Sequence, residues 1–107
     1  MSARVKKNYP LLKWLSQAKP RVARSVIGSV DKEVLDSICE VCLNILKGNV
    51  PLSPDQKRRL CKHKQTLRRL ACSSRGSEKV KRALVQKGGF LGALLHPLLS
   101  IGSLLLK

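Results

Sequence analysis

Aromatic and acidic residues are both scarce in this chain of 107 residues. Phe, Trp and Tyr occur once each, which disfavours the aromatic platforms on which dedicated single-strand binders stack bases. Six acidic residues stand against 22 lysines and arginines, so the net charge is +16. Because such self-repulsion destabilises a small fold, the composition predicts a polyanionic partner, either nucleic acid or an anionic membrane.

Catalytic and secretory signatures are also missing from the sequence. It contains neither a phosphate-binding loop nor a nucleophile paired with a base, and His96 has no neighbours that would support a catalytic role. No apolar run of signal-peptide length follows the first residues. We therefore expect an intracellular protein that is not an enzyme and needs no cofactor.

The four cysteines, Cys39, Cys42, Cys61 and Cys72, allow a zinc site as an alternative. Its ligand set would be Cys39-x-x-Cys42 together with Cys61-x-His63. If Cys61 and His63 share a helix, they lie about 200° apart around it and cannot easily bind one ion. We therefore expect reduced, structural thiols and no metal site.

The clearest helix start in the sequence lies at Ser53. Ser53 can cap the free backbone N–H groups, Pro54 fits the first helical position, and Gln56 can complete a capping box. The pattern predicts one helix over residues 53–71. Its inward stripe consists of Leu60, Leu67, Leu70 and Ala71.

Residues 31–47 have the strongest apolar pattern and predict the core helix. Asp31 is its expected N-cap, and Gly48 marks its end. Leu43 and Leu46 widen the apolar face, which predicts a helix enclosed on most sides. The remaining predicted segments are a mobile basic arm over 1–7, a helix over 10–18, a helix from Pro20 to near Gly28, and a helix over 77–86. Together these predict a small all-α bundle of four or five short helices.

Positive charge concentrates in residues 53–87, where twelve basic residues stand against two acids. On capped helices with one apolar side, this excess predicts a surface for a polyanion, the alternative being a merely solvated face. The candidate nucleic-acid-binding residues are Lys57, Arg58, Arg59, Lys62, Lys64, Arg68, Arg69, Arg75, Lys79, Lys81, Arg82 and Lys87.

The composition changes abruptly at residue 88. Residues 88–106 contain no Asp, Glu, Lys or Arg, and their length reaches that of a membrane span. The sequence thus predicts a basic helical domain over 1–87 and a hydrophobic tail over 88–107. Three roles are open for the tail: packing in the bundle or an oligomer, membrane anchoring, or release as a membrane-active peptide. Its candidate membrane residues are Phe90, Leu91, Leu94, Leu95, Leu98, Leu99, Ile101, Leu104 and Leu105.

Two stretches of the chain resemble known families. The run CEVCLNILKGNVPLSPDQKRRLCKHKQTLRRLA, followed by VQKGGFLGALLHPLLS, resembles short basic proteins encoded by polinton and adintovirus-like DNA elements. The basic segment 57–87, followed by Gly88-Gly89 and an apolar tail, is similar to the precursor of the adenovirus core peptide mu. That peptide is arginine-dense and largely unstructured, whereas this chain has capped helices.

The similarity to the mu precursor implies a non-enzymatic virion core protein. Such a protein would bind and condense double-stranded DNA without sequence preference, in the virion and in the host nucleus during assembly. The junction of Gly88, Gly89 and Phe90 is similar to sites cut by adenovirus-type maturation proteases, the alternative being a simple helix C-cap. The alternative function is a membrane-active or membrane-anchored minor capsid protein that acts through the tail. Capsid proteins and a second copy of the chain are further expected partners.

Overall fold

Seven helices form the part of the chain that the structure describes. The computed structural model describes residues 3–72, 77–86 and 90–100, and no residue in these ranges lies in a β-strand. The helices are α1 (Ala3–Gln17), α2 (Pro20–Ile27), α3 (Lys32–Leu46), α4 (Pro54–Cys61), α5 (Lys64–Cys72), α6 (Ser77–Gln86) and α7 (Phe90–Ser100). The all-α class is confirmed, whereas the predicted number of four or five helices is too low.

Helix α3 is the centre of the bundle and contacts α1, α5, α6 and α7. Its N-terminus is capped as predicted, because Oδ1 of Asp31 accepts a hydrogen bond from the Val34 N–H at 3.1 Å. Leu43 and Leu46 are nevertheless 37% and 42% exposed. They lie outside the arc that the four partner helices cover, so the prediction that they widen the buried face is wrong. The buried apolar residues of α3 are Val34, Leu35, Ile38, Cys39, Val41, Cys42 and Ile45.

Helix α1 begins at Ala3, so the predicted mobile arm over residues 1–7 is wrong from residue 3 onward. Pro10 lies inside the helix, although it cannot donate a hydrogen bond to the carbonyl four residues earlier. An apolar stripe that continues across Pro10 and packs on α3 and α7 offsets this loss. The stripe consists of Val5, Tyr9, Leu12 and Leu15, all buried.

Polar contacts fix α1 against α3. The Ser37 side chain is fully buried, and its hydroxyl donates to the Glu33 carbonyl at 2.9 Å. Asn8 Nδ2 in turn donates to Ser37 Oγ at 3.1 Å, which crosses from α1 to α3. Lys7 Nζ lies 3.4 Å from a Glu33 carboxylate oxygen and adds an ion pair at the same contact. The buried hydroxyl is therefore satisfied, and it sets the register of the two helices.

The single helix predicted over residues 53–71 is two helices, α4 and α5, so that prediction is wrong in one respect. The predicted capping box is present: Ser53 Oγ accepts from the Gln56 N–H at 3.2 Å, and Gln56 Oε1 accepts from the Ser53 N–H at 2.9 Å. The chain turns at Lys62 and His63, where the His63 N–H donates to the Leu60 carbonyl. The two halves have different partners, since α4 packs on α7 and α5 packs along α3. A change of direction lets both halves bury their apolar residues.

Helix α7 is the described part of the predicted tail, and it packs against α1 and α4. Leu94 and Leu95 are fully buried in the core that the other helices share. Within residues 3–72, 77–86 and 90–100, no helix has both the length and the apolar character required to span a membrane. The structure does not describe the side chains of four predicted tail residues within α7: Phe90, Leu91, Leu98 and Leu99. Ile101, Leu104 and Leu105 lie outside the described residues, and so does the Gly88-Gly89 junction.

Candidate functional site

Helices α4, α5 and α6, with the turn between α4 and α5, carry the largest net positive charge in the described part of the chain. Of the side chains described in residues 54–86, ten are cationic and one, Asp55, is acidic. All ten cations are exposed except Lys81, which is half-buried. We call these ten residues the basic surface: Lys57, Arg58, Arg59, Lys62, Lys64, Arg68, Arg69, Lys79, Lys81 and Arg82. The predicted residues Arg75 and Lys87 lie outside the described ranges.

Arg58 and Lys81 of the basic surface make contacts within the protein. Arg58 Nη2 lies 2.8 Å from Asp55 Oδ1, but both side chains are more than three-quarters exposed, so this pair contributes little stability and can open. Lys81 Nζ donates to the Gly28 carbonyl at 3.4 Å and thereby links α6 to the end of α2. Lys81 therefore acts partly at a helix contact, whereas Lys79 and Arg82 beside it are exposed.

Two depressions in the basic surface gather cations from neighbouring segments. The first, of about 290 Å³, lies between α5 and α6 and is lined by Arg69, Lys79 and Arg82 with Ala83. The second, of about 360 Å³, surrounds the turn between α4 and α5 and is lined by residues 61–66. Neither depression is lined by an acidic residue among those described, so each is a region of positive potential.

A third depression, here called the junction pocket, has a volume of about 380 Å³. It lies where the end of α4 meets α1 and α7. Its polar lining residues are Ser16, Arg59, Lys62, His63 and His96, and Gly92 and Ala93 complete it. The two histidines are far apart in sequence, and nothing in the sequence pairs them; only the packing of α7 on α4 brings them to one pocket.

The capping box of α4 also orients His96. Because Gln56 Oε1 accepts from the Ser53 N–H, the amide NH₂ of Gln56 is directed elsewhere. Its Nε2 lies 3.4 Å from His96 Nδ1, and an NH₂ group can only donate. In the neutral ring Nδ1 is then the acceptor and Nε2 carries the proton. In this tautomer the Nε2–H of His96, which lines the junction pocket, is not used by the contact with Gln56.

The cysteines do not form the alternative zinc set within the described residues. Cys39 and Cys42 are buried in the core, whereas Cys61 is exposed. Burial, with a smaller contribution from the charge of Asp36, raises the pKa of Cys39 from 9.0 to about 11. Burial likewise raises the pKa of Cys42, so both thiols are protonated at neutral pH. No group of three or more His, Cys, Asp or Glu residues in the described ranges is placed to hold a metal ion.

The structure thus leaves the described cations of α4, α5 and α6 exposed or half-buried and brings Arg69, Lys79 and Arg82 to one depression. The junction pocket adds Ser16, His63 and His96, which the sequence did not single out as binding residues. Arg59 and Lys62 are the predicted residues that the basic surface shares with the junction pocket. Comparison of the chain with protein-family models, with curated proteins and with solved structures gives no match.

Proposed function

We propose that this protein binds double-stranded DNA through the basic surface, without sequence preference, and helps to compact it as a non-enzymatic virion core component. The observation that carries the proposal is the charge of that surface: among the described side chains of residues 54–86, nine exposed cations and one half-buried cation stand against one exposed acid. Lysines and arginines that neutralise phosphates release condensed counterions, which supplies the sequence-independent part of DNA affinity.

The distribution of charge between the two halves of the fold supports this surface over the rest of the molecule. Residues 3–50 contain nine lysines and arginines but also four acids, Asp31, Glu33, Asp36 and Glu40. One of these acids already pairs with a cation of α1, through the contact of Glu33 with Lys7. All four acids lie in α3 or at its N-cap, so an approaching duplex meets less repulsion at the basic surface than beside α3.

The size of the molecule fits contact with a short stretch of duplex. Its longest dimension is 29 Å, which spans about eight base pairs of B-form DNA. Exposed cations also occur on α1 and α2, and we infer that they contact a second duplex while the basic surface binds the first. The exposed cations of these helices are Arg4, Lys6, Lys7, Lys13, Arg21 and Arg24. Bridging of this kind is what compaction requires.

The membrane alternative has less support. Leu94 and Leu95 are predicted membrane residues, yet both are fully buried against the other helices. A membrane role would require α7 to leave α1 and α4, which costs the burial of these side chains. In the DNA proposal the buried leucines of α7 are part of the hydrophobic core, which positions the helices that carry the basic surface.

The proposal is tested by replacing six cations of the basic surface with Gln: Lys57, Arg58, Arg59, Lys62, Arg68 and Arg69. Duplexes of unrelated sequence should all bind more weakly, by a similar factor. The slope of log affinity against log salt should fall by up to about five, because each lost phosphate contact removes about 0.9. Fluorescence anisotropy at several salt concentrations measures both quantities.

A control variant removes the same charge from α1, α2 and the residue that precedes α2. In it Arg4, Lys6, Lys13, Lys19, Arg21 and Arg24 are changed to Gln. It should keep most of the duplex affinity and compact DNA less efficiently in light scattering. Equal losses of affinity in both variants would mean that net charge alone, and not the basic surface, drives binding. Stronger binding to anionic vesicles than to DNA would favour the membrane alternative.

A further inference from the structure

We propose that the junction pocket binds a single phosphate group, either inorganic phosphate or one phosphodiester of a nucleic-acid backbone. For the phosphodiester this inference rests on the proposed function; for inorganic phosphate it does not. Binding at this pocket differs from general electrostatic attraction to the basic surface, because one phosphate group would contact one defined set of donors.

The donors come from three separate parts of the fold. Arg59 is on the last turn of α4, Lys62 and His63 form the turn after it, and His96 is on α7. Every ionisable group among the described lining residues is therefore basic. A guanidinium can bind two phosphate oxygens at once, and an ammonium adds a point charge. Elsewhere on the basic surface, no described depression combines these two groups with imidazoles.

The neutral lining residues suit the same ligand. The hydroxyl of Ser16 donates to the Lys13 carbonyl at 2.6 Å, so it is already satisfied within α1. Next to it the wall is formed by Gly92 and Ala93, and a Cβ placed on Gly92 would meet nothing within 4 Å. The pocket thus has open space beside its donors. At about 380 Å³ it accommodates a tetrahedral oxyanion with retained water, since each water occupies about 30 Å³ in the liquid.

The position of the pocket also fits a polymer. Lys62 and His63 line both the junction pocket and the depression around the α4–α5 turn, where Lys64 adds a further cation. A backbone with one phosphate in the junction pocket can therefore place the next one against Lys64. The junction pocket would bind one phosphate of the strand, and other cations of the basic surface would contact the neighbouring phosphates.

Phosphate binding is measured by NMR on the full chain, following the ring signals of His63 and His96. Sodium phosphate is added at constant ionic strength, with sodium chloride as the reference titration. The two imidazole signals should shift together and saturate with phosphate but not with chloride. Lys62→Gln should weaken this binding by about tenfold, whereas Lys47→Gln, an equal charge loss at the end of α3, should weaken it far less.

A second pair of variants separates charge from bulk. Gly92→Glu places a carboxylate beside Arg59 and Lys62, and Gly92→Gln places a neutral group of the same size there. Because α7 has room at Gly92, both should fold, which circular dichroism verifies. Gly92→Glu should bind phosphate at least about tenfold more weakly than Gly92→Gln. The proposed phosphate site would be refuted if the imidazole signals showed no saturable shift with phosphate. Equal phosphate affinity of Gly92→Glu and Gly92→Gln would also refute it.

A short duplex distinguishes the two sources of phosphate and separates this inference from the proposed function. If the duplex shifts the same imidazole signals and competes with phosphate, the pocket holds a phosphodiester. If phosphate saturates the pocket and the duplex binds without affecting these signals, the ligand is free phosphate. If phosphate binds and the duplex does not bind at all, the pocket stands and the proposed function fails.

Discussion

The turn after α3 depends on one backbone conformation that only glycine adopts easily. Gly48 has φ of +79°, in the left-handed region. Its N–H donates to the Ile45 carbonyl at 3.1 Å, and the Asn49 N–H donates to the Asn44 carbonyl at 2.9 Å. These two bonds form a Schellman motif, which satisfies carbonyls that would otherwise be left free at the end of the helix. The turn leads directly into the buried side chain of Val50.

We predict that Gly48→Ala destabilises the protein through its backbone alone. A Cβ at this position would meet nothing within 4 Å, so no steric clash with a neighbour contributes. The left-handed conformation costs a non-glycine residue about 1–2 kcal/mol. Alanine also restricts the unfolded chain, which returns about 0.4–1 kcal/mol. The net loss should be about 1 kcal/mol, which lowers the Tm of a domain of this size by about 4 °C.

Urea denaturation followed by circular dichroism measures this change in the free energy of unfolding. Gly92→Ala is the matched control, because Gly92 is helical and its Cβ would also meet nothing within 4 Å. It should stabilise the protein by about 0.5–1 kcal/mol, since glycine inside a helix is unfavourable. The two substitutions thus have opposite expected signs. If Gly48→Ala unfolds at the same urea concentration as the wild type or a higher one, the left-handed turn is not the conformation in solution.

Three further predictions concern the cap, the tail and the thiols. Ser53→Ala should cost about 1 kcal/mol in urea denaturation because the capping box is lost, and an unchanged midpoint would contradict the cap. Leu94→Ala should cost about 2–5 kcal/mol, whereas a change near zero would show that α7 is not packed in the core. Between pH 9 and 11 the free energy of unfolding should fall, because the unfolded Cys39 thiol ionises near 9.0 while its folded pKa is about 11. Replacing Cys39 and Cys42 with Ala should flatten that dependence, and an equal slope in this variant would refute it.

Local signals in the sequence predicted most helix ends. Asp31 and Ser53 accept from backbone N–H groups three residues away, and Pro20 occupies a position where its missing N–H has no effect. Gly48 ends α3 because its own dihedral angle requires it. Each of these signals acts within one turn of a helix, so neighbouring residues alone determine the outcome. The exposure of the basic residues was predictable for a similar reason, since burial of unpaired cations is costly.

Tertiary packing decided the features that depend on distant residues. Pro10 remains inside α1 because the apolar stripe through Val5 and Tyr9 packs on α3 and α7. The break between α4 and α5 arises because the two halves pack on different helices. The junction pocket joins Arg59 to His96, and no local pattern in the sequence relates them. Helix ends are set by hydrogen bonds within one turn, whereas helix breaks and pockets are set by which apolar faces meet.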